Sequence, residues 1–152
     1  MSSEHLKLNN QLCFPLYAAS RLITRSYQPY LDKIKITYPQ YLVLMVLWET
    51  DNLTVNVISK MLFLNTNTIT PLLKRMEKQG LLTRKRSEND ERKVLIKLTE
   101  KGKALRNDAQ CIPVQLGTEL SASNLSSEDM IDLKNRLYQI IDVLSEKTPQ
   151  TL

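Results

Sequence analysis

The stretch from Asn65 to Leu98 constrains the fold most, because a helix with two distinct faces is followed there by a basic hairpin. Apolar residues recur at the i, i+3, i+4, i+7 spacing of one helical face, namely Ile69, Leu72, Leu73 and Met76. Gly80 is suited to end this helix, since glycine adopts a positive φ without strain. The pattern predicts a helix with one face in a core and a polar front in solvent.

Two short segments after Gly80 predict a β-hairpin. In residues 93–98, apolar Val94, Ile96 and Leu98 alternate with Lys93, Leu95 and Lys97, so that one face can be buried. Residues 87–91 are polar and suit the turn between the segments. We therefore expect residues 81–86 to pair with residues 93–98 and to form a hairpin with a charged tip.

Positive charge is concentrated around this stretch. Residues 74–106 contain 12 Lys or Arg and 5 Asp or Glu, a balance of +7. The whole chain has 21 and 16, which leaves 9 basic and 11 acidic residues elsewhere, a balance of −2. Localised cations beside a polar helix front favour DNA binding, because they displace counterions from phosphates. A merely solvated helix and hairpin would have the same composition, so charge alone leaves both interpretations open.

Length and composition favour one domain without a membrane span. A chain of 152 residues with 42% hydrophobic residues can bury a core, and it has no run of 18 apolar residues. The polar N-terminus does not resemble a signal peptide, which favours a cytoplasmic location. A permanent disulfide framework is not expected in such a reducing compartment, where the chain has only two cysteines, Cys13 and Cys111. Both remain candidates for redox chemistry. No cofactor or metal ion is expected.

The remaining segments predict helices near residues 6–34, 38–50, 54–62, 99–116 and 126–144. Pro15 implies that the first helix either begins near that residue or bends beside it. Thr70 and Pro71 compete with Asn65 as the start of the helix before Gly80, and we take Asn65 because Ile69 belongs to the apolar face. A short helix followed closely by a polar-fronted one is the helix-turn-helix arrangement.

The outer helices carry more apolar surface than one small module covers, which favours a dimer interface over the completion of a monomer core. The C-terminal segment alone contains Met130, Ile131, Leu133, Leu137, Ile140, Ile141 and Leu144. We predict a single, mainly α domain over residues 1–152 with a small β-hairpin. Residues 36–98 would form the DNA-binding region, and residues 6–34 and 99–146 the dimerisation helices.

Several motifs resemble those of MarR-family winged helix-turn-helix regulators. Asp90-Glu91-Arg92, followed by Leu98-Thr99 and Gly102, resembles the family's hairpin signature, and residues 68–77 resemble its recognition helix. Residues 10–14, 17–21 and 36–41 are similar to the OhrR group of repressors, which respond to organic hydroperoxides. The resemblance spans the chain to about Arg106.

This resemblance implies a homodimeric repressor that binds double-stranded DNA at an inverted repeat. The recognition helices would enter successive major grooves and the hairpins, or wings, the flanking minor grooves. The residues implied in DNA binding are Asn65, Thr66, Asn67, Thr68, Thr70, Lys74, Arg75, Arg84, Arg86 and Arg92, with Asp90 either holding Arg92 by a charged hydrogen bond or forming only an exposed ion pair. Family members commonly have Asp-Ser-Gly where this chain has Asn65-Thr66-Asn67, which leaves its operator sequence open.

The same resemblance implies that Cys13 senses peroxides. A thiolate attacks the O–O bond, and hydrogen bonds or a helix N-terminus stabilise a thiolate. By resemblance, Tyr27 and Tyr38 donate to the Cys13 sulfur across the dimer interface, and oxidation releases DNA. Either Cys111 of the partner subunit or a low-molecular-weight thiol would then form a disulfide with Cys13. Without the resemblance, an inert buried thiol and ordinary core tyrosines would be the simpler interpretation.

Three functional hypotheses follow from these residues. The first is a repressor released by organic hydroperoxides, and the second is a MarR-type regulator released by a small aromatic ligand, with the cysteines incidental. The third is a thiol peroxidase that uses Cys13. No peroxidase-type arrangement of Pro and Thr precedes this cysteine, so we do not expect an enzyme.

Overall fold

The computed structural model describes residues 3–121 and 124–147. Two 3-10 turns, Ser3–Leu6 and Leu8–Asn10, come first. The helices are α1 (Cys13–Lys33), α2 (Tyr38–Glu49), α3 (Val55–Met61), α4 (Thr66–Lys78), α5 (Glu100–Ala109), α6 (Ile112–Leu120) and α7 (Ser127–Lys147), and the strands are β1 (Leu53–Thr54), β2 (Leu82–Arg86) and β3 (Val94–Leu98). The predicted mainly α fold with a small hairpin is confirmed. Parts of the predicted domain 1–152, at residues 1–2, 122–123 and 148–152, lie outside the described residues.

β2 and β3 form the predicted antiparallel hairpin, and β1 adds a third strand at the other edge of β3. Ile96 in the middle strand lies opposite Arg84 on one side and Leu53 on the other. Asp51 braces this small sheet, since its Oδ1 accepts a hydrogen bond from the backbone N–H of Leu98 at 2.9 Å. A two-residue strand is too short to show alternation, so no sequence pattern predicts β1.

α2 is the central helix of the core, as its nearly continuous apolar sequence predicts. Its buried apolar residues are Tyr41, Val43, Leu44, Val46 and Leu47. Gln40 is also buried, at 3% exposure. Its Oε1 accepts from the backbone N–H of Thr37 at 3.0 Å, and its Nε2 donates to Oε1 of Gln79 at 2.8 Å. This amide links the start of α2 to the end of α4.

α3 and α4 form the predicted helix-turn-helix. Thr54 caps α3 by accepting from the N–H of Val57 at 3.3 Å, and Asn65 caps α4 by accepting from the N–H of Thr68 at 2.9 Å. Pro71 lies inside α4, where it removes one backbone hydrogen bond. The predicted start at Asn65 is therefore confirmed, because the cap outweighs the proline signal for a later start.

α1 begins at Cys13, so the expectation of a helix from about residue 6 is wrong. Of the two alternatives for Pro15, the structure has the first: this proline lies in the first turn, where helical N–H groups have no intrahelical acceptor anyway. Pro29, which was not predicted to matter, lies inside the helix. Leu31 is buried, whereas Leu12 and Leu22 remain 68% and 60% exposed. Only the C-terminal part of α1 therefore packs on the core.

The C-terminal part contains three helices. The predicted interruption near Pro113 is present, since α5 ends at Ala109 and α6 starts at Ile112. α7 starts where predicted, because Ser126 and Asp129 exchange side-chain to backbone hydrogen bonds of 2.8 and 3.1 Å. Within the described ranges, no side chain of α7 is buried and no helix is long and apolar enough to span a membrane.

Candidate DNA-binding surface and redox site

α4 has the buried face and the exposed front that its sequence predicts. Ile69, Leu73 and Met76 are fully covered, and Leu72 is 4% exposed. The predicted contact residues Asn65, Thr66, Asn67, Thr68, Lys74 and Arg75 are exposed, and Thr70 is half-buried. The exposed face therefore begins with short polar side chains and continues with two cations.

The N-terminus of α4 is free of carboxylates. The first turn of this fully described helix has no acidic residue. Asn65 caps it with a neutral amide, whose Oδ1 accepts from both the N–H and the Oγ1 of Thr68 at 2.9 Å. Because helix N-termini attract anions through their free N–H groups and dipole, a neutral cap preserves that attraction for a phosphate.

Gly80 fixes the direction in which the chain leaves α4. Its φ is +73°, and its N–H donates to the carbonyl of Glu77 at 2.9 Å. The next N–H, of Leu81, donates to the carbonyl of Met76 at 3.0 Å. These two bonds form a Schellman motif, which turns the chain directly into β2. The wing, defined here as residues 82–98, is thereby joined to the recognition helix without a flexible linker.

Arg86 and Arg92 of the wing are exposed. Asp90 orders the hairpin tip, since its Oδ1 accepts from the backbone N–H of Arg92 at 3.1 Å and its Oδ2 lies 3.8 Å from Nζ of Lys93. The bond from Asp90 to Arg92 thus goes to the backbone. The Arg92 side chain is exposed at the tip of the wing.

Arg84 has a different environment. Its side chain is 20% exposed, and its Nη1 lies 3.7 Å from Oε2 of Glu77 in α4. Its backbone N–H donates to Oε1 of the same carboxylate at 3.1 Å. The structure therefore places this guanidinium against the recognition helix.

An aromatic cluster lies between α1 and α2. The ring centroids of Tyr27 and Tyr38 are 4.9 Å apart, and the ring of Tyr41 is 5.8 and 6.4 Å from them. Burial raises the pKa of Tyr27, with a smaller contribution from Tyr38, and burial raises the pKa of Tyr38. Both phenols therefore keep their protons at neutral pH and can donate hydrogen bonds. Tyr41 was predicted only as a core residue, because it lies within the apolar sequence of α2.

Cys13 is exposed at the first position of α1 and does not reach this cluster. Tyr27 follows it by 14 residues in the same helix. At 1.5 Å per residue, the two positions are about 21 Å apart. The predicted sensor thiol and the predicted phenols thus do not meet within one chain.

Cys111 precedes α6 and is also exposed. Its Sγ donates to the carbonyl of Asp108 at 3.7 Å. The pKa of Tyr41 is raised by burial and by smaller contributions from Tyr27, Tyr38 and lastly Cys111. In the part of the chain that the structure describes, no group of His, Cys, Asp or Glu is arranged to hold a metal ion.

Large apolar side chains of α1 and α7 remain in solvent. Tyr17 on α1 is 59% exposed, and Leu133, Ile140 and Leu144 on α7 are 45%, 37% and 57% exposed. Together with Leu137, the α7 residues are spaced 4, 3 and 4 apart, which is the spacing of a helical packing seam. An apolar stripe of this kind is typical of a surface that a partner covers.

Comparisons with known proteins agree with this geometry. Residues 25–109 match the family described as transcriptional regulator SarA/Rot. The organic hydroperoxide resistance transcriptional regulator of Bacillus subtilis is 55% identical over 144 residues, which are 95% of this chain and 96% of that protein.

Two proteins of known structure are similar in fold and sequence. Reduced AbfR bound to DNA is 35% identical, with a TM-score of 0.75 over 93% of this chain and 96% of that one. AbfR comes from Staphylococcus epidermidis. Its disulfide form is 36% identical, with a TM-score of 0.59 over 91% of this chain and 96% of that one. Apo MarR from E. coli is 26% identical, with a TM-score of 0.69 over 86% of this chain and 96% of that one.

Proposed function

This chain belongs to the SarA/Rot family of transcriptional regulators, and from that premise we propose that it is a DNA-binding repressor that releases its operator when an organic hydroperoxide oxidises Cys13. The matches confirm the resemblance to MarR-type regulators and to the group named for organic hydroperoxides. We further propose that it acts in the cytoplasm, where it reaches DNA.

The observation that carries the sensing role is the pair of phenols, Tyr27 and Tyr38, whose rings are 4.9 Å apart. Burial raises the pKa of each above its ordinary value of 10.0, so both remain hydrogen-bond donors. Two neutral phenols this close together suit the stabilisation of a thiolate by hydrogen bonds. Cys13 opens α1, where the positive end of a helix dipole also favours a negative charge.

A symmetric dimer would bring these groups together. The phenols of one chain cannot reach its own Cys13, about 21 Å along the helix. The exposed apolar residues of α1 and α7 supply a surface for a second copy. Because each copy contributes one Cys13 thiol and one aromatic cluster, a two-fold axis would create two equivalent sites. The dimer is thus part of the proposed sensor as well as of the proposed DNA reader.

The proposed chemistry is a two-electron oxidation. The Cys13 thiolate attacks one peroxide oxygen, an S–O bond forms as the O–O bond breaks, and the alkoxide leaves as an alcohol after taking a proton. The resulting sulfenic acid condenses with a second thiol, releasing water and forming a disulfide. That thiol is either Cys111 of the partner subunit or a low-molecular-weight thiol. The phenols then lose the thiolate that they were bonded to.

On DNA, the two copies of α4 would enter successive major grooves of an inverted repeat, with the wings in the flanking minor grooves. Bases or nearby phosphates would be contacted by the polar front of α4, which consists of Asn65, Thr66, Asn67, Thr68 and Thr70. Lys74 and Arg75 would bind phosphates. Arg86 and Arg92 would reach the backbone or groove of the flanking DNA. All of these residues except the half-buried Thr70 are exposed, and this exposure and the neutral cap of α4 support the arrangement.

The test uses fluorescence anisotropy of a labelled duplex that the reduced protein selects from a randomised pool. Cumene hydroperoxide should release the wild-type protein, whereas Cys13→Ser should stay bound. Tyr27→Phe and Tyr38→Phe should slow release, because each removes one donor to the thiolate. Cys111→Ser, followed by non-reducing gels and mass spectrometry, distinguishes a disulfide between subunits from an adduct with a small thiol.

The sensing proposal is wrong if the peroxide leaves the wild-type protein bound, or if Cys13→Ser is released equally. Release by a small aromatic compound under strictly reducing conditions would instead indicate a ligand-controlled regulator. If the protein reduces many peroxide molecules per protein thiol when a thiol reductant is supplied, it would be a peroxidase.

A further inference from the structure

Arg86 and Arg92 are exposed, whereas Arg84 contacts the recognition helix. We propose that its contact with Glu77 sets the position of the wing relative to α4, so that Arg84 is a positioning residue for DNA binding and not a phosphate ligand. This inference rests on the DNA-binding role of the protein. It is independent of peroxide sensing by Cys13, because it concerns only the reduced protein.

One carboxylate makes two polar contacts between the wing and α4. Glu77 is in the last turn of α4, and Arg84 is in the middle of β2. Oε1 of Glu77 accepts from the backbone N–H of Arg84 at 3.1 Å, and Oε2 lies 3.7 Å from Nη1 of its guanidinium. Glu77 therefore binds both the backbone and the side chain of Arg84 in β2.

The position of Arg84 in the sheet explains why it needs this partner. It lies opposite Ile96, which is fully buried, and shares a face with Leu82, which is 1% exposed. β2 is at the edge of the three-stranded sheet, so the outward N–H of Arg84 has no neighbouring strand to pair with. Glu77 supplies the missing acceptor.

The guanidinium is held by Glu77 and by packing. Its Nε is buried and has no hydrogen-bond partner among the described residues. Its guanidinium pairs with the carboxylate of Glu77, and 20% of the side chain is exposed. To reach a phosphate, Arg84 would have to leave this position and give up its packing between β2 and α4. Arg86, two residues further along the same face, is already exposed.

The sign of the effect of Glu77 distinguishes positioning from simple electrostatics. Removing a carboxylate near a DNA-binding surface strengthens binding, because it lessens repulsion from phosphates. If Glu77 holds the wing in place, its removal weakens binding instead. The two effects oppose each other, so the direction of the measured change shows which of them dominates.

The experiment measures anisotropy of a duplex selected by the reduced wild-type protein, between about 50 and 200 mM salt. Glu77→Ala and Arg84→Ala should each weaken binding about fivefold to tenfold, in the range expected for loss of one coupled contact. Their salt slopes should equal that of the wild type, since neither Glu77 nor Arg84 contacts a phosphate itself and the wing keeps its exposed arginines. The double variant should bind no more weakly than the weaker single variant, because both changes remove the same contact.

Two matched controls separate the alternatives. Arg86→Ala removes an exposed arginine from the same face of β2 and should lower the salt slope by about one unit. Glu91→Gln removes an exposed carboxylate at the hairpin tip and should leave binding unchanged or strengthen it. If the alanine variants do not fold, as judged by thermal unfolding, Glu77→Gln and Arg84→Lys test the same contact with side chains of similar size.

Weaker binding of the Glu77 variants at an unchanged slope, with faster hydrogen exchange in the hairpin of Glu77→Ala, supports the proposal. The proposal is overturned if the Glu77 variants bind as well as or better than the wild type. It is also overturned if Arg84→Ala lowers the salt slope as Arg86→Ala does. Failure of the wild type to select any duplex would be a different result, which refutes DNA binding itself.

Discussion

The DNA-binding region and the terminal helices differ in how much of their apolar surface one chain covers. Between residues 36 and 98, α2, α4 and β3 bury most of their apolar side chains. The first half of α1 and the whole of α7 bury no apolar side chain fully and leave most of theirs exposed. A single chain therefore fixes the geometry that reads DNA, whereas the proposed sensor is complete only when a second copy is present. Association is then as important to sensing as the thiol is.

The largest effect should come from a charge in the α7 stripe. Ile140→Asp places a carboxylate in the proposed interface, where an unpaired charge is strongly unfavourable. We expect a folded monomer whose operator affinity falls at least about a hundredfold, because two linked DNA-binding regions bind far more tightly than one. Sedimentation and anisotropy measure the two changes. Asn135→Asp, which places the same charge on α7 away from the stripe, is the control. If Ile140→Asp remains dimeric and binds the operator with normal affinity, the α7 stripe is not the dimer interface.

Two glycines outside the DNA-binding region test whether a helix packs against that region: Gly102 of α5 meets the backbone of Leu81, and Gly117 of α6 is exposed. A Cβ added at Gly102 would lie 2.0 Å from the carbonyl oxygen of Leu81, whereas one added at Gly117 in α6 meets nothing within 4 Å. We expect Gly102→Ala to lower the free energy of unfolding by about 1–3 kcal/mol, as overpacking does. Gly117→Ala should raise it by about 0.5–1 kcal/mol, since alanine favours a helix. Urea unfolding at one protein concentration measures both, and equal effects would contradict the difference in packing.

A smaller effect is expected from one cation of the DNA-binding region. Lys74→Ala should weaken binding across DNA sequences and flatten the salt dependence by about one unit of slope, as loss of a phosphate contact does. Lys134→Ala, which removes an exposed lysine from α7, should leave the slope unchanged. Anisotropy at several salt concentrations decides, and equal slopes for the two variants would show that α4 does not approach the phosphates through Lys74.

The smallest effect concerns pH. Burial raises the pKa of Tyr27 and Tyr38 in the folded chain above 10.0, so the fold favours the neutral phenols. This stabilisation is present below about pH 10 and is lost as the pH rises through the raised values. The double variant Tyr27→Phe/Tyr38→Phe should therefore lose less stability than the wild type between about pH 8 and pH 11. Urea midpoints measure this, and Tyr17→Phe, which removes an exposed phenol, should behave as the wild type does.

The sequence predicts well where a local signal and the tertiary packing agree. Asn65 caps α4, Gly80 ends it, and the alternation of residues 93–98 matches the buried face of β3. Each of these features is set by neighbouring residues. Thr70 and Pro71 also formed a local signal, but Ile69 has to face the core, and burial of that face decided the start of the helix.

Features that depend on distant contacts were not predictable in this way. The two residues of β1 form a strand only because β3 offers an edge, and Tyr41 joins the aromatic cluster only because α1 packs across α2. The apolar stripe of residues 6–12 predicted helix, yet the first regular turn of α1 starts at Cys13. Arg84 resembles its neighbours in sequence, and its contact with Glu77 depends on how β2 packs against the end of α4.

The buried amide of Gln40 has a mechanical consequence. Its carbonyl is committed to Thr37 and its amino group to Gln79, and neither bond tolerates a shift of more than a few tenths of an ångström. Tyr38 sits between Thr37 and Gln40 in the chain. A displacement of this end of α2 would therefore stretch the hydrogen bond to Gln79 unless the end of α4 moved with it.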